Sequence, residues 1–425
     1  MSTSEEPVPA SAPLARVATP SSTARYARKK QAIIAAASEI LTRDGVKGMT
    51  LASVASRVGL ITTSVTYYFK KKEDLAVVCF LDGVRRFDEV ITAALLAPDP
   101  PAKLLKFLDL WLDMYRRIAQ GEEPPIAAFN DIRALQKPQR TEVLDAYLRF
   151  FDKLRSIFVA PELAHLDERN ITTRAHVLTE QIFWADAWLR RYDIEDYGRI
   201  RDRMFEIFMH GLATPASVWQ PMPLALEDVL QTSGQEPSPR ETFLIAATRL
   251  INDRGYRGAS VEKISARLNV TKGSFYHHND TKDDLVVECF KRSFEAMRRV
   301  QRAVAEEPTD HWSKLTTIAA ALVSYQLSSR GPLLRTSALS ALPESIRAEM
   351  VRASNRVSDR FSAMISDGIA AGTVRAVDTF IASQMLSATL NASAEIKWWL
   401  PDVNSEEAVL LYAKPMLMGT FAEIG

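Results

Sequence analysis

The chain is 425 residues long, 47% apolar and 25% charged, with a formal net charge of +1 and two cysteines. That length predicts two to three domains, and the composition is that of an ordinary globular protein. No stretch reaches the roughly 18 uncharged apolar residues a membrane helix needs, and no basic segment followed by an apolar core opens the chain. A cytoplasmic protein with no membrane association is therefore expected.

Residues 1–24 are rich in Pro, Ser, Ala and Thr and read as a disordered arm, ending in the basic cluster Arg25, Arg28, Lys29 and Lys30. A first helix follows, with Ile33, Ala37, Ile40 and Leu41 at the i, i+4, i+7, i+8 spacing of one helical face and a close near Gly45. A second helix starts at the N-cap Thr50 and buries Leu51, Val54, Ala55 and Val58. Gly59, tolerant of positive φ, then turns the chain into a short third segment. Glu73 and Asp74, placed after Lys72, suit the first turn of a fourth helix that continues through Leu75, Cys79 and Phe80. Helices are then expected at about 102–119, 125–136, 138–159, 171–192 and 195–213, separated by breakers such as Pro98-Asp99-Pro100-Pro101, Pro124-Pro125 and Pro161. A Pro-rich stretch with little periodicity, 219–239, reads as a linker.

Beyond the linker the plan repeats. GVKGMTLASVASRVGLITTSVTYYFKKKEDL, residues 45–75, aligns without a gap to GYRGASVEKISARLNVTKGSFYHHNDTKDDL, residues 255–285, at a constant offset of 210. The matched positions include Phe243, Ala247, Leu250 and Ile251 on the first helix, the cap Ser260, then Val261, Ile264, Ser265 and Leu268, the turn residue Asn269, and Leu285, Cys289 and Phe290. So long a period marks a duplicated domain rather than a solenoid. Cys79 and Cys289 sit at the same offset, which fits inherited core positions better than a disulfide. Second-copy helices are expected at about 310–329, 332–341, 343–370, 376–400 and 405–423, with breakers at Gly331-Pro332, Pro343 and Pro401. The resulting division is an arm 1–24, a head 25–75, a body 76–218, a linker 219–239, a head 240–285 and a body 286–425.

Charge follows the same division. Residues 25–72 hold ten basic and two acidic residues, a local +8; residues 235–282 carry +3, which leaves −10 on the rest. Two basic heads on an acidic body is the layout of a DNA-binding protein with a separate regulatory part.

Each repeated segment reads as a helix-turn-helix, whose second helix enters the major groove. In the second copy Thr271 caps that helix, Lys272, Gly273 and Ser274 open it, and Phe275, Tyr276, His277 and His278 follow. Tyr276 can donate to a phosphate, and Lys282 at the next helix start can help clamp one. TKGSFYHH with TKDDL, and less closely ITTSVTYYFKKKEDL, resemble the recognition helix and following helix start of TetR/AcrR-family transcriptional regulators. The resemblance implies an all-α fold of two tandem TetR-like units. Each would have a three-helix DNA-binding head and a helical ligand-binding and dimerisation body. It implies pairing of the two units within one chain, through about 171–213 against about 376–423. It also implies double-stranded operator DNA and a small-molecule effector as partners, with no cofactor; pairing of two chains stays open.

Carried over by position, the resemblance assigns DNA contacts to Lys272, Gly273, Ser274, Tyr276, His277, His278 and Lys282, and to Thr62, Thr63, Ser64, Thr66, Tyr67, Tyr68 and Lys72, with Lys70 and Lys71 enriching the first copy's phosphate clamp. The first copy departs from the pattern at Thr63, Thr66 and Ile61, which stands where a capping Ser or Thr belongs, so Thr62 is the expected cap. The second departs at Asn279 and Asp280. His277-His278 diverge around a helix with no third ligand in range, so no metal site is expected. Trp111, Tyr115, Phe129 and Tyr325 are the pocket candidates, with Phe183, Trp184, Trp188, Trp312, Trp398 and Trp399 as further aromatics that core or interface packing also explains. No nucleophile motif or phosphate-cradling loop supports catalysis. Two readings remain: a ligand-released repressor reading an asymmetric operator, or a ligand- or protein-binding scaffold in which one head has lost DNA reading.

Overall fold

The computed structural model describes residues 22–230, 236–268 and 281–422. Among these there is no strand. The first head is built from α1 (Ser22–Gly48), α2 (Leu51–Arg57) and α3 (Thr62–Tyr68). The first body holds α4 (Lys72–Ala94), α5 (Pro100–Ala119), α6 (Gln139–Arg155), α7 (Glu168–Leu189) and α8 (Tyr197–His210). One turn, α9 (Leu226–Val229), punctuates the linker. The second unit runs through α10 (Pro239–Gly258), α11 (Val261–Leu268), α12 (Lys282–Ala305), α13 (His311–Leu327), α14 (Glu344–Ala370), α15 (Thr379–Ala392), α16 (Ile396–Trp399) and α17 (Ser405–Met418).

Several expectations need correction. The first helix begins at Ser22, inside the expected arm, and does not close at Gly45. It bends through that residue (φ 62°) and runs to Gly48, just as α10 bends at Gly255 (φ 70°). The expected helices 125–136 and 332–341 are short 3-10 turns, Phe129–Ala134 and Thr336–Ala341. Ala127, Ile132 and Leu135 are drawn into the core of the first head instead, while the 129–134 turn also packs on α10, two surfaces that one helical face would not serve. The expected helix 376–400 breaks after Ala392 into a 3-10 turn, Ser393–Glu395, before α16.

The two cysteines confirm the internal symmetry. Cys79 donates to Ile34 O and Cys289 to Leu244 O, each at 3.6 Å, and both thiols are free and buried. Burial pushes the Cys79 thiol up to about 12 and the Cys289 thiol up to about 11, so neither is a reactive thiolate at neutral pH.

The units pair through α7 and α8 against α15 and α17. Gln181 Nε2 donates to Met385 O at 2.7 Å, Trp184 Nε1 to Gln384 at 3.0 Å, and Arg174 Nε to Thr420 O at 2.5 Å. Trp188 packs edge-on to Phe380, and Trp399 of the second unit stacks on Phe151 of the first at 4.1 Å. At the far end the backbones themselves cross. Leu212 N and Ala213 N both donate to Leu417 O (2.8 and 3.1 Å), and Thr420 N donates to Phe208 O at 2.7 Å.

Candidate nucleic-acid interface

Local chemistry sets the first head. Thr50 accepts from Ser53 N at 3.0 Å while Ser53 Oγ accepts from Thr50 N at 3.1 Å, a reciprocal cap that fixes the start of α2. Arg57 pairs with Glu39 at 2.6 Å and ties α2 to α1. Gly59, at φ 66°, makes the turn. Val65 and Phe69 are buried and anchor α3, leaving Ile61, Thr62, Thr63 and Tyr67 exposed and Ser64, Thr66 and Tyr68 half-buried. Ile61 occupies the N-cap and no side chain caps the helix, so Thr62 does not take the expected capping role and lies inside α3.

Two expected contact residues are committed elsewhere within the head. Thr66 Oγ1 donates to Thr63 O at 2.9 Å, folding the hydroxyl back onto its own helix. Lys72 Nζ donates to Val46 O, Lys47 O and Met49 O at 3.0, 3.0 and 3.1 Å. An ammonium has three protons, and here all three satisfy carbonyls at the end of α1. Lys72 is thus a clasp between α1 and α4, while Lys70 and Lys71 are exposed beside α3.

The sequence reading missed the neighbour of α3. The two extra N-terminal turns of α1 bring Tyr26 against Tyr68 and Tyr67, with ring centroids 4.7 and 6.3 Å apart. This lays the exposed Arg25, Arg28 and Lys29 on the same helix segment as Tyr26, and Lys30 lies over the Phe69 ring at 5.9 Å. α10 starts at Pro239, the counterpart of residue 29.

In the second head Ser260 accepts from Lys263 N at 3.4 Å as expected of a cap. Lys272, Gly273, Ser274, Tyr276, His277 and His278 lie outside the described residues. Lys282 sits over the Tyr256 ring at 4.1 Å, and the Tyr256 hydroxyl donates to Asp283. Thr281 caps α12 by a reciprocal pair with Asp284, whereas Lys71, its counterpart, gives α4 no side-chain cap.

The pocket candidates fall in both bodies. Trp111 is fully buried against Tyr115, at 5.6 Å. Phe129 packs among Phe87 and Phe183, over Gly83, where a Cβ would lie 2.9–3.1 Å from Ile126 and Phe129. Tyr325 belongs to the second body, packs near Leu230 and Leu333, and donates to Arg330 O at 3.0 Å.

Behind the heads lies a buried ionic cluster that had no sequence signature. The 129–134 turn packs on α10 and the 336–341 turn on α1, so each body touches the opposite head. Arg133 donates to Asn252 O in α10 and to Glu395. Arg335 donates to Glu395 and to both oxygens of Glu180 at 3.0 Å. Asn252 closes the circuit, donating to Leu333 O at 2.9 Å and accepting from Arg335 N at 3.1 Å. His176, Glu180 and Glu395 bring ligand-type atoms within 4.8 Å of one another. The two arginines already balance both carboxylates, and a divalent cation would add uncompensated buried charge; the arrangement serves as an ion-pair bridge between units.

His176 supplies a pH test. Its Nδ1 is 2.7 Å from the Tyr412 hydroxyl, and its Nε2 faces Glu395 at 3.9 Å without a hydrogen bond. Burial holds its pKa below the ordinary 6.5. The unfolded chain therefore takes up this proton first as pH falls. Stability is expected to be flat above about 6.5 in this respect and to decline below it, down to the folded value. Urea titrations at a series of pH values check this: His176→Gln should flatten that limb, and an unchanged limb would assign it to other groups. Burial alone would raise the Glu395 carboxyl; Arg335 and Arg133 more than offset it and hold it below 4.5, so its contribution fails only at lower pH.

Comparison with known proteins gives a consistent picture. The family described as bacterial regulatory proteins, tetR family, matches residues 33–79 and again 243–289. A tetracyclin repressor-like C-terminal domain matches 308–402. The transposon Tn10 TetC protein of Escherichia coli is 29% identical over 97 residues, 23% of this chain and 49% of that protein. The HTH-type transcriptional repressor DhaR of Mycobacterium sp. (strain GP1) is 27% identical over 139 residues, 32% of this chain and 70% of that protein. The chain thus spans about half the length of the first relative and about 70% of the second. A crystal structure of AibR in complex with isovaleryl coenzyme A and operator DNA is 22% identical, covering 43% of this chain and 98% of that one, at a TM-score of 0.35.

Proposed function

Because the chain belongs to the tetR family of bacterial regulatory proteins and carries that family's DNA-binding domain twice, we propose that it is a sequence-specific transcriptional regulator reading one operator with two unlike heads. The observation that carries this reading is α3, exposed along Thr62, Thr63 and Tyr67 and flanked by the exposed Lys70 and Lys71. In this reading α3 enters the major groove; Thr62, Thr63 and Ser64 face base edges, and Tyr67, Tyr68, Lys70 and Lys71 hold phosphates. Lys272, Gly273, Ser274, Tyr276, His277, His278 and Lys282 serve the second half-site by sequence position. The pairing of α7 and α8 with α15 and α17 holds both heads in one chain, so nothing requires the half-sites to match. The relative DhaR is named a repressor, and we assign the same mode here, relieved by a small-molecule effector bound in the bodies around Trp111, Tyr115, Phe129 or Tyr325.

Salt-dependent binding of the full-length chain to promoter fragments, followed by footprinting, tests the proposal. Lys70→Glu with Lys71→Glu is expected to weaken binding across sequences and to flatten the slope of log affinity against log salt by about 1 per lost contact. Lys72→Ala is expected to act differently, lowering stability by about 1–2 kcal/mol through the unsatisfied carbonyls of α1. A perfectly palindromic footprint that depends equally on both heads would remove the asymmetric operator from the proposal.

A further inference from the structure

The first head displays apolar surface that its own fold does not use. Among the exposed large apolar side chains of the described residues, Leu96, Val159, Val218, Val351 and Trp398 are scattered over the two bodies. Tyr26, Ile61 and Tyr67 all lie on this head. The tyrosines pack on each other and on Tyr68. Ile61 has no such explanation. It is 72% exposed, sits in the turn leading into α3, makes no cap, and is followed by the exposed hydroxyls of Thr62 and Thr63. The family pattern asks for a capping hydroxyl at this place, and a β-branched hydrocarbon stands there instead.

The surroundings select the occupant. Lys70, Lys71, Arg25, Arg28 and Lys29 are exposed on the same head, which favours a polyanion over an apolar protein partner or a neutral surface. Within the major groove of DNA one base alone offers an apolar group, the C5-methyl of thymine; the other base edges present only donors and acceptors. We propose that Ile61 reads thymine, packing its side chain against a thymine C5-methyl in the half-site engaged by the first head. The inference rests on α3 being the groove helix of that head. The counterpart of Ile61 in the second head is Thr271, so the two heads carry different chemistry at this position.

The test uses the full-length chain and its footprinted operator, with each thymine of the first half-site replaced in turn by deoxyuridine, which removes one methyl and leaves every hydrogen-bonding group in place. Loss of one buried carbon predicts about a fourfold weakening at one or two positions and none elsewhere. Ile61→Ala should bind the thymine and deoxyuridine forms equally at those positions, with its melting unchanged because the side chain is exposed. A flat deoxyuridine scan of the wild-type chain overturns the proposal, and so does an Ile61→Ala variant that keeps the wild-type penalty. The underlying reading fails separately: if Lys70→Glu with Lys71→Glu leaves affinity and salt slope unchanged, the first head is not on DNA, and both fall. If those variants weaken binding and the scan is flat, thymine reading alone is lost.

Discussion

Gly211→Ala is expected to destabilise the chain by about 3 kcal/mol or more and to loosen the pairing of its two units. Gly211 ends α8 at φ 58° and ψ −143°, a conformation that side chains rarely adopt. A Cβ there would lie 2.2 Å from Leu417 O and 2.7 Å from Gly419 N. Neither neighbour can swing away, because both are backbone. Leu417 O is also the shared acceptor for Leu212 N and Ala213 N, so displacing it costs two hydrogen bonds that join the units. The contact is nearly reciprocal: Gly419, at φ 111°, would place a Cβ 2.5 Å from Met209 O. Gly372→Ala is the control, since its φ is 71° but nothing lies within 4 Å of its Cβ position. That variant carries backbone strain alone, on the order of 1–2 kcal/mol. Urea unfolding and limited proteolysis of both variants separate strain from collision. Equal losses would mean that the crossing of the two backbones contributes nothing of its own.

The second large effect belongs to the ionic bridge. Arg335→Ala should cost about 3–5 kcal/mol, the range for removing one partner of a buried pair. Arg335 is 9% exposed; its guanidinium lies between Glu180 and Glu395, and its backbone N–H donates to Asn252. Without it Glu180 keeps, among the described residues, the Asn391 amide at 3.2 Å, and Glu395 keeps Arg133. Arg335→Lys should recover little, because one ammonium cannot reproduce the fork that reaches two carboxylates. The loss should fall on the seam between the units, because Asn252 of α10 bonds the Arg335 backbone N–H, which the substitution leaves in place. Hydrogen exchange is therefore expected to show reduced protection in α7 and little change in 243–256. A loss below about 1 kcal/mol would show that the cluster is hydrated and weak.

The helical periodicity of the heads was legible because each helix buries a face against its immediate sequence neighbours. Val54, Ala55 and Ile264 are buried as the spacing requires, and Thr50 and Ser260 cap as their side chains allow. The pairing segments of the bodies were legible in outline, since α8 and α17 fall within the expected ranges and α7 overlaps its own, starting at Glu168 ahead of the expected 171. The 3-10 turns at 129–134 and 336–341 were not. Their apolar residues look helical in a short window, but they serve two different surfaces, the head on one side and the partner unit on the other. Lys72 shows the same limit at one residue. Its place beside Lys70 and Lys71 suggested a phosphate contact, and the bend of α1 at Gly45 brings three carbonyls to it instead.

The sequence by itself determined that this chain is a duplicated pair of helix-turn-helix units, because a repeat at a constant offset of 210 is read by comparing residue identities alone, and the periodicity of each helix is a property of residues near one another. Only the tertiary structure decided which cations remain exposed at α3, how Arg133, Glu180, Arg335 and Glu395 balance one another, and why Gly211 and Gly419 must be glycines. Each of these depends on groups between 23 and 262 residues apart. Such contacts leave no periodic trace along the chain; they exist only where packing removes water and forces each buried polar group to find a partner.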